Sequence, residues 1–412
     1  MVYDIAVIGA GVAGMCAVHR IIEKQQGKKK LPKIILFDIG RPPAKRRTQM
    51  FGFGGLLPNS DGKLYLLNTK EVAALIGDKK AKLSQQWVLD TFQQANPNLP
   101  AITKDTLPSA SLTKKLKNAG YKIYKNDHIQ LLPSHIHTML RTFSDEFEKH
   151  IDFAFDQEIF NISKKRGVFV LSTGEQEVKC RQILIAVGRS GWRFCGNLFK
   201  SWGLIEENSI ARYGIKIEMP ISNIPNFNRS NCSMSNGQIE VGPFCYNGKV
   251  VPEDHYDFAM ASFRSNEERW YTDKVSFNFI GNIRCENAFE QTDRIAQLTF
   301  IMANDRVSAE RVSTLVNGRT KILTNGKGGL LPEYEWIVDA LKSFGQVAPE
   351  ILTKSYYHVP TLVPLPPKIA LGTNMETEVE GMFLAGESAG IVGLLAAGET
   401  GMCAADGMAK SL

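Results

Sequence analysis

Six residues near the start carry the first chemical signal: Gly9-Ala10-Gly11-Val12-Ala13-Gly14. Glycines at this spacing suit a phosphate-binding turn. The first permits a sharp turn, the second lets backbone approach a pyrophosphate, and the third lets a helix pack against a sheet. The free N–H groups and positive dipole end of the following helix attract the phosphates. A second residue belongs to the same chemistry. Asp38, with Ile39 after it, stands at the end of Ile34-Ile35-Leu36-Phe37. A carboxylate there can accept hydrogen bonds from the ribose hydroxyls of an adenosine.

The elements that must position these groups are legible around them. Val2–Ile8 is a β-branched apolar run that reads as a buried strand, and an apolar helical segment follows Gly14 at once. The Gly/Pro-punctuated polar stretch 25–32 reads as the loop leading to a second parallel strand ending at Asp38. Strand, glycine turn, helix, strand and acid together predict a dinucleotide-binding βαβ unit, rather than an ordinary one that binds nothing.

The 412 residues suffice for two or three domains, and 43% hydrophobic with 22% charged residues is an ordinary globular composition. The net charge of +7 suits anionic ligands but serves solubility equally. Lys114, Lys115, Lys117, Lys122 and Lys125 with Tyr121 and Tyr124 offer a nucleic-acid surface. An amphipathic helix followed by an exposed strand explains them better. Seven cysteines, an odd number without close pairs, indicate reduced thiols and a cytoplasmic setting. No CxxC or HExxH occurs, and His135 and His137 do not share a helix face, so no metal site is expected. Asp4 and the missing basic n-region argue against a signal peptide. No apolar run reaches membrane-spanning length.

Downstream of Asp38 comes a basic, proline-broken loop containing Arg46 and Arg47, then the glycine-rich Met50–Leu64, whose Phe51, Phe53, Leu56 and Leu57 should avoid water. Helical spacing covers Ser84–Asn96, Ser109–Ala119 and Ser134–His150, the last with Ser134 as a plausible cap. Ile151–Ile162, Val168–Ser172 and Gln176–Cys180 read as a β-meander. It leads to a buried parallel strand, 182–187, that ends at Gly188-Arg189. Residues 213–283 alternate as an antiparallel sheet does, while 287–316 and 333–344 read as helices. Asn325–Gly329 is a flexible connection, and no second strand–GxGxxG–helix appears before residue 360.

Near the C-terminus, Gly386-Glu387-Ser388-Ala389-Gly390 contains G-x-S-x-G. An esterase would place its histidine after the nucleophile, but the last histidine is His358, so the triad order fails. An apolar strand before Gly386 and a small-residue helix over about Ile391–Lys410 offer another reading.

Thr377 followed by Gly381-Met382-Phe383-Leu384-Ala385-Gly386-Glu387 resembles the C-terminal FAD motif of glutathione-reductase-type flavoproteins. With 51–66 (FGFGGLLPNSDGKLYL) and 186–194 (AVGRSGWRF), it is similar to a poorly characterised family of FAD-dependent dehydrogenases. The resemblance implies an α/β chain: a Rossmann-type FAD-binding domain with parallel central sheet and β-meander, formed by 1–191 and 361–412, plus an α+β substrate domain with antiparallel sheet over 192–360. It implies FAD held by Gly9–Gly14, Asp38, Ile39, Arg47, Gly54, Gly55, Gly188, Gly386 and Glu387, where the usual aspartate is a glutamate. Ser60-Asp61-Gly62-Lys63 would lie near the isoalloxazine. The C-terminal helix would turn its positive end to the flavin. The expected activity is hydride transfer at flavin N5 to or from a small molecule bound between the flavin and the 192–360 domain, with NAD(P)H a candidate transient partner. No acid–base residue is assigned. Arg46, Arg47, Lys63 and Arg189 are candidate anion-binding cations, although solvated or salt-bridged surface roles explain them more simply. A flavin-bearing RNA-interacting protein and a Ser388 esterase are the alternatives.

Overall fold

The computed structural model describes residues 1–28, 32–46, 49–66, 69–206, 209–224, 226–325, 329–410 and 412. Two compact units emerge: the first from 1–101, 131–207 and 365–412, the second from 102–130 and 208–364. The expected boundaries put 102–130 in the first unit. A short strand in it, Lys122–Tyr124, pairs antiparallel with Ser233–Ser235, a non-local contact that no local pattern announces.

The first unit is built on a sheet of seven strands. β1 (Val2–Ile8) lies between β2 (Ile34–Asp38) and the long strand Glu177–Ile185, parallel to both. β3 (Asp152–Phe155) extends the parallel set beside β2. β4 (Asn161–Lys165), β5 (Val168–Ser172) and β6 (Glu177–Ile185) form the antiparallel meander. The short strand Met382–Leu384 completes the sheet, parallel to β6.

Two sequence expectations change here. The 151–162 run is not one strand: Asp156 adopts φ +56°, which separates parallel β3 from meander strand β4. The segments 176–180 and 182–187 are instead one strand. Along β6 burial alternates at first and then becomes continuous, because its first half has one solvated face while its second half is covered on both.

Four helices of this unit matter for the site: α1 (Val12–Gln25), α2 (Asp78–Ala95), α3 (Pro133–Phe147) and α4 (Leu394–Met408). α3 begins at Pro133 with Leu132 at its cap, so Ser134 is inside the helix; proline is pre-organised for the first helical position. α4 starts three residues later than the small-residue run suggests, because Gly386–Ala389 forms a 3-10 turn and Gly390 is left-handed. It packs closely on α1, and a Cβ on Gly401 would overlap the Ala13 carbonyl.

The second unit carries an eight-stranded sheet. At its centre β7 (Ile210–Pro220) is antiparallel to a strand at Lys274–Arg284 and to another at Tyr356–Leu362. A hairpin of β8 (Lys249–Asp254) and β9 (Ala259–Arg264) precedes those partners, which are β10 (Lys274–Arg284) and β11 (Tyr356–Leu362). Tyr213, Ile215, Ile217 and Met219 face the apolar core with Val275, Phe277 and Phe279. The 287–316 run is not one helix: Ala288–Met302 ends, a strand follows at Ser308–Arg311, and a short helix occupies Val312–Val316. Tyr121 is buried and set edge-on to Phe344, so it belongs to the core, while Lys114, Lys115 and Lys117 line an exposed helix face.

Candidate functional site

The candidate site gathers at the carboxyl ends of the parallel strands of the first unit, where open α/β sheets bind ligands. β1 delivers Gly9, β2 delivers Asp38, β6 leads to Gly188, and Met382–Leu384 leads to Gly386 and Glu387. Each glycine of the first turn meets a different constraint. Gly9 has φ +105°, and a Cβ there would overlap the Ala186 carbonyl. A Cβ on Gly14 would overlap the Gly9 carbonyl. Gly11 is unlike both. Its φ of −72° and ψ of −176° suit any residue, and among the described residues a Cβ there would meet only Gly55 Cα, at 3.7 Å. Among the described residues nothing demands glycine at position 11.

Gly11 is also the N-cap of α1; among the described residues no side chain caps that helix, and its first turn holds no acid. The same holds at α4, capped by Gly393. The two N-terminal regions are neighbours, since a Cβ on Gly386 would sit 3.4 Å from both Ala13 Cβ and Ala397 Cβ. Gly386 N–H donates to Thr400 Oγ1 at 2.9 Å, which fixes the turn before α4. Two helix dipoles thus present their positive ends with Val12, Ala13 and Gly14 in the first turn of α1.

Asp38 is buried, and its carboxylate is heavily used within the chain. Oδ2 accepts the Ala10 N–H at 2.8 Å; Oδ1 accepts Gly40 N–H at 2.8 Å and Gly52 N–H at 2.7 Å. Burial raises its pKa, against the opposing pull of these three amides and of Arg46. Asp38 therefore ties the glycine turn to the loop after β2. Ile39, the next residue, is half-buried.

That loop folds over the turn. Gly54 N–H donates to the Ala10 carbonyl at 2.7 Å, and Gly55 is so close to Gly11 that a Cβ on Gly55 would sit 2.9 Å from Gly11 Cα. Phe53, fully buried, anchors the loop edge-on to Phe147, Phe153 and Phe155. Leu57 is fully buried and Phe51 and Leu56 are partly buried, as their aversion to water predicts. Arg46 holds the loop from inside. Nη1 donates to Phe53 O at 2.6 Å, and Nη2 donates to Gln49 O and Gly55 O, both at 2.7 Å. Burial lowers its pKa to about 10, partly offset by Asp38. A surface role for Arg46 is thus corrected: it spends its donors on loop carbonyls. Arg47 lies outside the described residues, as do Lys29, Lys30 and Gly326–Gly328 of the two loops read from sequence.

The remaining candidates are paired. Lys63 Nζ is 2.9 Å from Asp61 Oδ2, both side chains largely buried. Arg189 Nη2 donates to Glu387 Oε1 at 2.7 Å, joining the ends of β6 and the last strand. Gly188 has φ +60°, and no described residue comes within 4 Å of where its Cβ would be. Ser388 is buried; its Oγ accepts the Val187 N–H at 3.1 Å and hydrogen-bonds with Cys195. The hydroxyl is a brace between the two strand ends.

Sequence reasoning missed the loop-holding role of Arg46, the brace at Thr400 and the burial of Glu399. The last two had a visible signal, a Glu-Thr pair inside an otherwise small and apolar helix. Among the described residues no group of three or more His, Cys, Asp or Glu is placed to hold a metal, and no helix is long and apolar enough to cross a membrane.

No family model matches the chain, and no curated protein matches it. Among solved structures it is similar to glycine oxidase from Geobacillus kaustophilus, at 13% identity and TM-score 0.43, over 99% of this chain and 95% of that one. A flavoprotein/dehydrogenase from Cytophaga hutchinsonii gives 12% identity and TM-score 0.41, over 99% and 79%. CtdE in complex with FAD gives 9% identity and TM-score 0.40, over 98% and 82%. At these values the likenesses decide nothing about the reaction.

Proposed function

We propose that the chain is an FAD-dependent oxidoreductase acting on a small molecule. One observation carries the reading: among the described residues nothing in backbone conformation or packing demands glycine at position 11, yet it stands at a helix N-terminus that none of their side chains caps. A pyrophosphate approaching that backbone supplies the missing cause. The first turn of α1 would hold the pyrophosphate. Gly54 and Gly55, Gly188, Gly386 and Glu387 would flank the rest of the cofactor, with Asp38 fixing the loop beside it. Arg47 is retained as a candidate from its sequence position alone. The bound flavin supplies a two-electron acceptor or donor at N5. The chain's own part is to orient it, and the positive end of α4 would favour negative charge on the ring. NADH or NADPH is the candidate electron partner, to be distinguished by experiment.

The test is the visible spectrum of the purified full-length protein, before and after reconstitution with FAD, followed by anaerobic reduction with NADH or NADPH. Stoichiometric flavin bands are expected. A protein that takes up no FAD after reconstitution overturns the reading.

A further inference from the structure

A cavity in the second unit takes no part in the flavin reading. Its volume is about 190 Å³, and three stretches of that unit wall it: the helix Ala110–Asn118, the segment around Asn226, and the connection into the short helix Glu350–Lys354. At about 30 Å³ per water molecule the space equals roughly six waters, room for a molecule of amino-acid size. Its floor is apolar, with Leu112, Ile224, Phe227 and Ile351 all buried. Phe227 is itself packed on Phe244, ring centroids 4.6 Å apart. The wall is preformed. Asn226 O accepts the Ser109 N–H at 2.7 Å, and Asn228 Nδ2 donates to Leu107 O at 3.3 Å. Asn226, Asn228 and Arg229 have φ of +67°, +51° and +51°. Asparagine tolerates that conformation, but arginine adopts it where the surrounding structure imposes it.

Two opposite charges stand on the rim. Lys115 comes from the first helix, one turn after Ser111 and on the same face, and Glu350 comes from the start of the other. Among the described residues neither side chain has an ion pair or a hydrogen bond. The first turn of helix Ala110–Asn118 holds no acid, so nothing in that turn opposes a carboxylate beside Ser111. A simple anion in the cavity would meet the Glu350 carboxylate, and a simple cation would meet the Lys115 ammonium. A molecule that carries both charges satisfies both at once.

We infer that this cavity binds a free apolar α-amino acid of about leucine size. Its carboxylate is received by Lys115 and the Ser111 hydroxyl, its ammonium by Glu350, and its side chain by the floor at Phe227 and Ile351. Charge complementarity selects the zwitterion, and the apolar floor selects the side chain. All the residues involved belong to the second unit, and the inference does not rest on the flavin reading.

The test is calorimetric titration of the full-length protein at pH 7 with four probes. L-leucine carries every feature, L-leucinamide lacks the carboxylate, 4-methylpentanoate lacks the ammonium, and glycine lacks the apolar side chain. L-leucine should bind at one saturable site, at least about tenfold tighter than each of the others. Lys115→Met should weaken L-leucine about tenfold and remove its advantage over L-leucinamide. Glu350→Gln should weaken it equally and remove its advantage over 4-methylpentanoate. Lys115 is exposed and Glu350 half-buried, so both variants should fold, which thermal melts verify. No saturable binding of L-leucine, equal binding of glycine, or a preference retained in either variant overturns the inference. Each result leaves the flavin spectrum as a separate question.

Discussion

Gly52 N–H donates to Asp38 Oδ1 at 2.7 Å across fourteen residues of chain. With the Ala10 and Gly40 amides it makes one carboxylate the joint between the glycine turn and the loop lying on it. Asp38→Asn puts an amide NH2 against an amide N–H and loses charge-assisted bonds. The apoprotein should lose roughly 2–4 kcal/mol in urea unfolding. If Asp38 served only the ribose, the apoprotein would be unaffected and FAD affinity alone would fall.

Gly11 and Gly14 should respond to alanine in opposite ways. Gly14→Ala drives a Cβ into the Gly9 carbonyl and should destabilise the apoprotein by about 3 kcal/mol or more. Gly11→Ala meets only an ordinary contact, so apoprotein stability should change by no more than about 1 kcal/mol. FAD affinity should nevertheless drop by about a hundredfold in equilibrium dialysis. Unchanged FAD affinity in Gly11→Ala would remove the main support for the cofactor reading.

The Arg189–Glu387 pair joins two strand ends with side chains only 17% and 13% exposed. A double-mutant cycle of Arg189→Met and Glu387→Gln should give a coupling energy of about 1–3 kcal/mol by chemical denaturation. Additive single effects would show the contact to be energetically idle.

Glu399 is fully buried in α4, with Gln85 Nε2 donating to Oε1 at 3.4 Å. Burial raises its pKa to about 7, opposed by Gln85 and Ser84. A raised folded pKa means the native state holds the proton more tightly. Its contribution is complete below the unfolded value of 4.5 and is lost as pH rises through 7. Between those limits stability should fall by roughly 3 kcal/mol. Glu399→Gln should abolish that slope, measured as urea midpoints from pH 4 to pH 8. A wild-type curve flat over this range would contradict the assignment.

Local chemistry was readable where a residue's role is set by its neighbours in sequence. β1, the turn, α1 and β2 follow from hydrophobic runs and glycine spacing, and the observed strand ends at Asp38 as expected. Other roles depend on distant partners. Asp38 looked free because the amides it accepts come from Ala10 and Gly52, far along the chain. Arg46 looked like a surface cation because its acceptors are carbonyls, which sequence patterns do not display. Ser388 imitated a nucleophile because G-x-S-x-G is set by turn geometry, and only the Val187 amide reveals the brace. The 151–162 run concealed a break at Asp156, since a single left-handed residue leaves no hydrophobic signature.

The short strand Met382–Leu384 pairs with β6 and finishes the sheet begun by β1. On a ribosome adding about 5–20 residues per second, the glycine turn waits roughly 20 to 75 seconds for that strand and for α4. Throughout that interval the Ala13 side of α1 lacks the helix that covers it in the finished protein. Synthesis in the N-to-C direction therefore makes the glycine turn well before the strand and helix that enclose it, and leaves an apolar face of α1 uncovered in between.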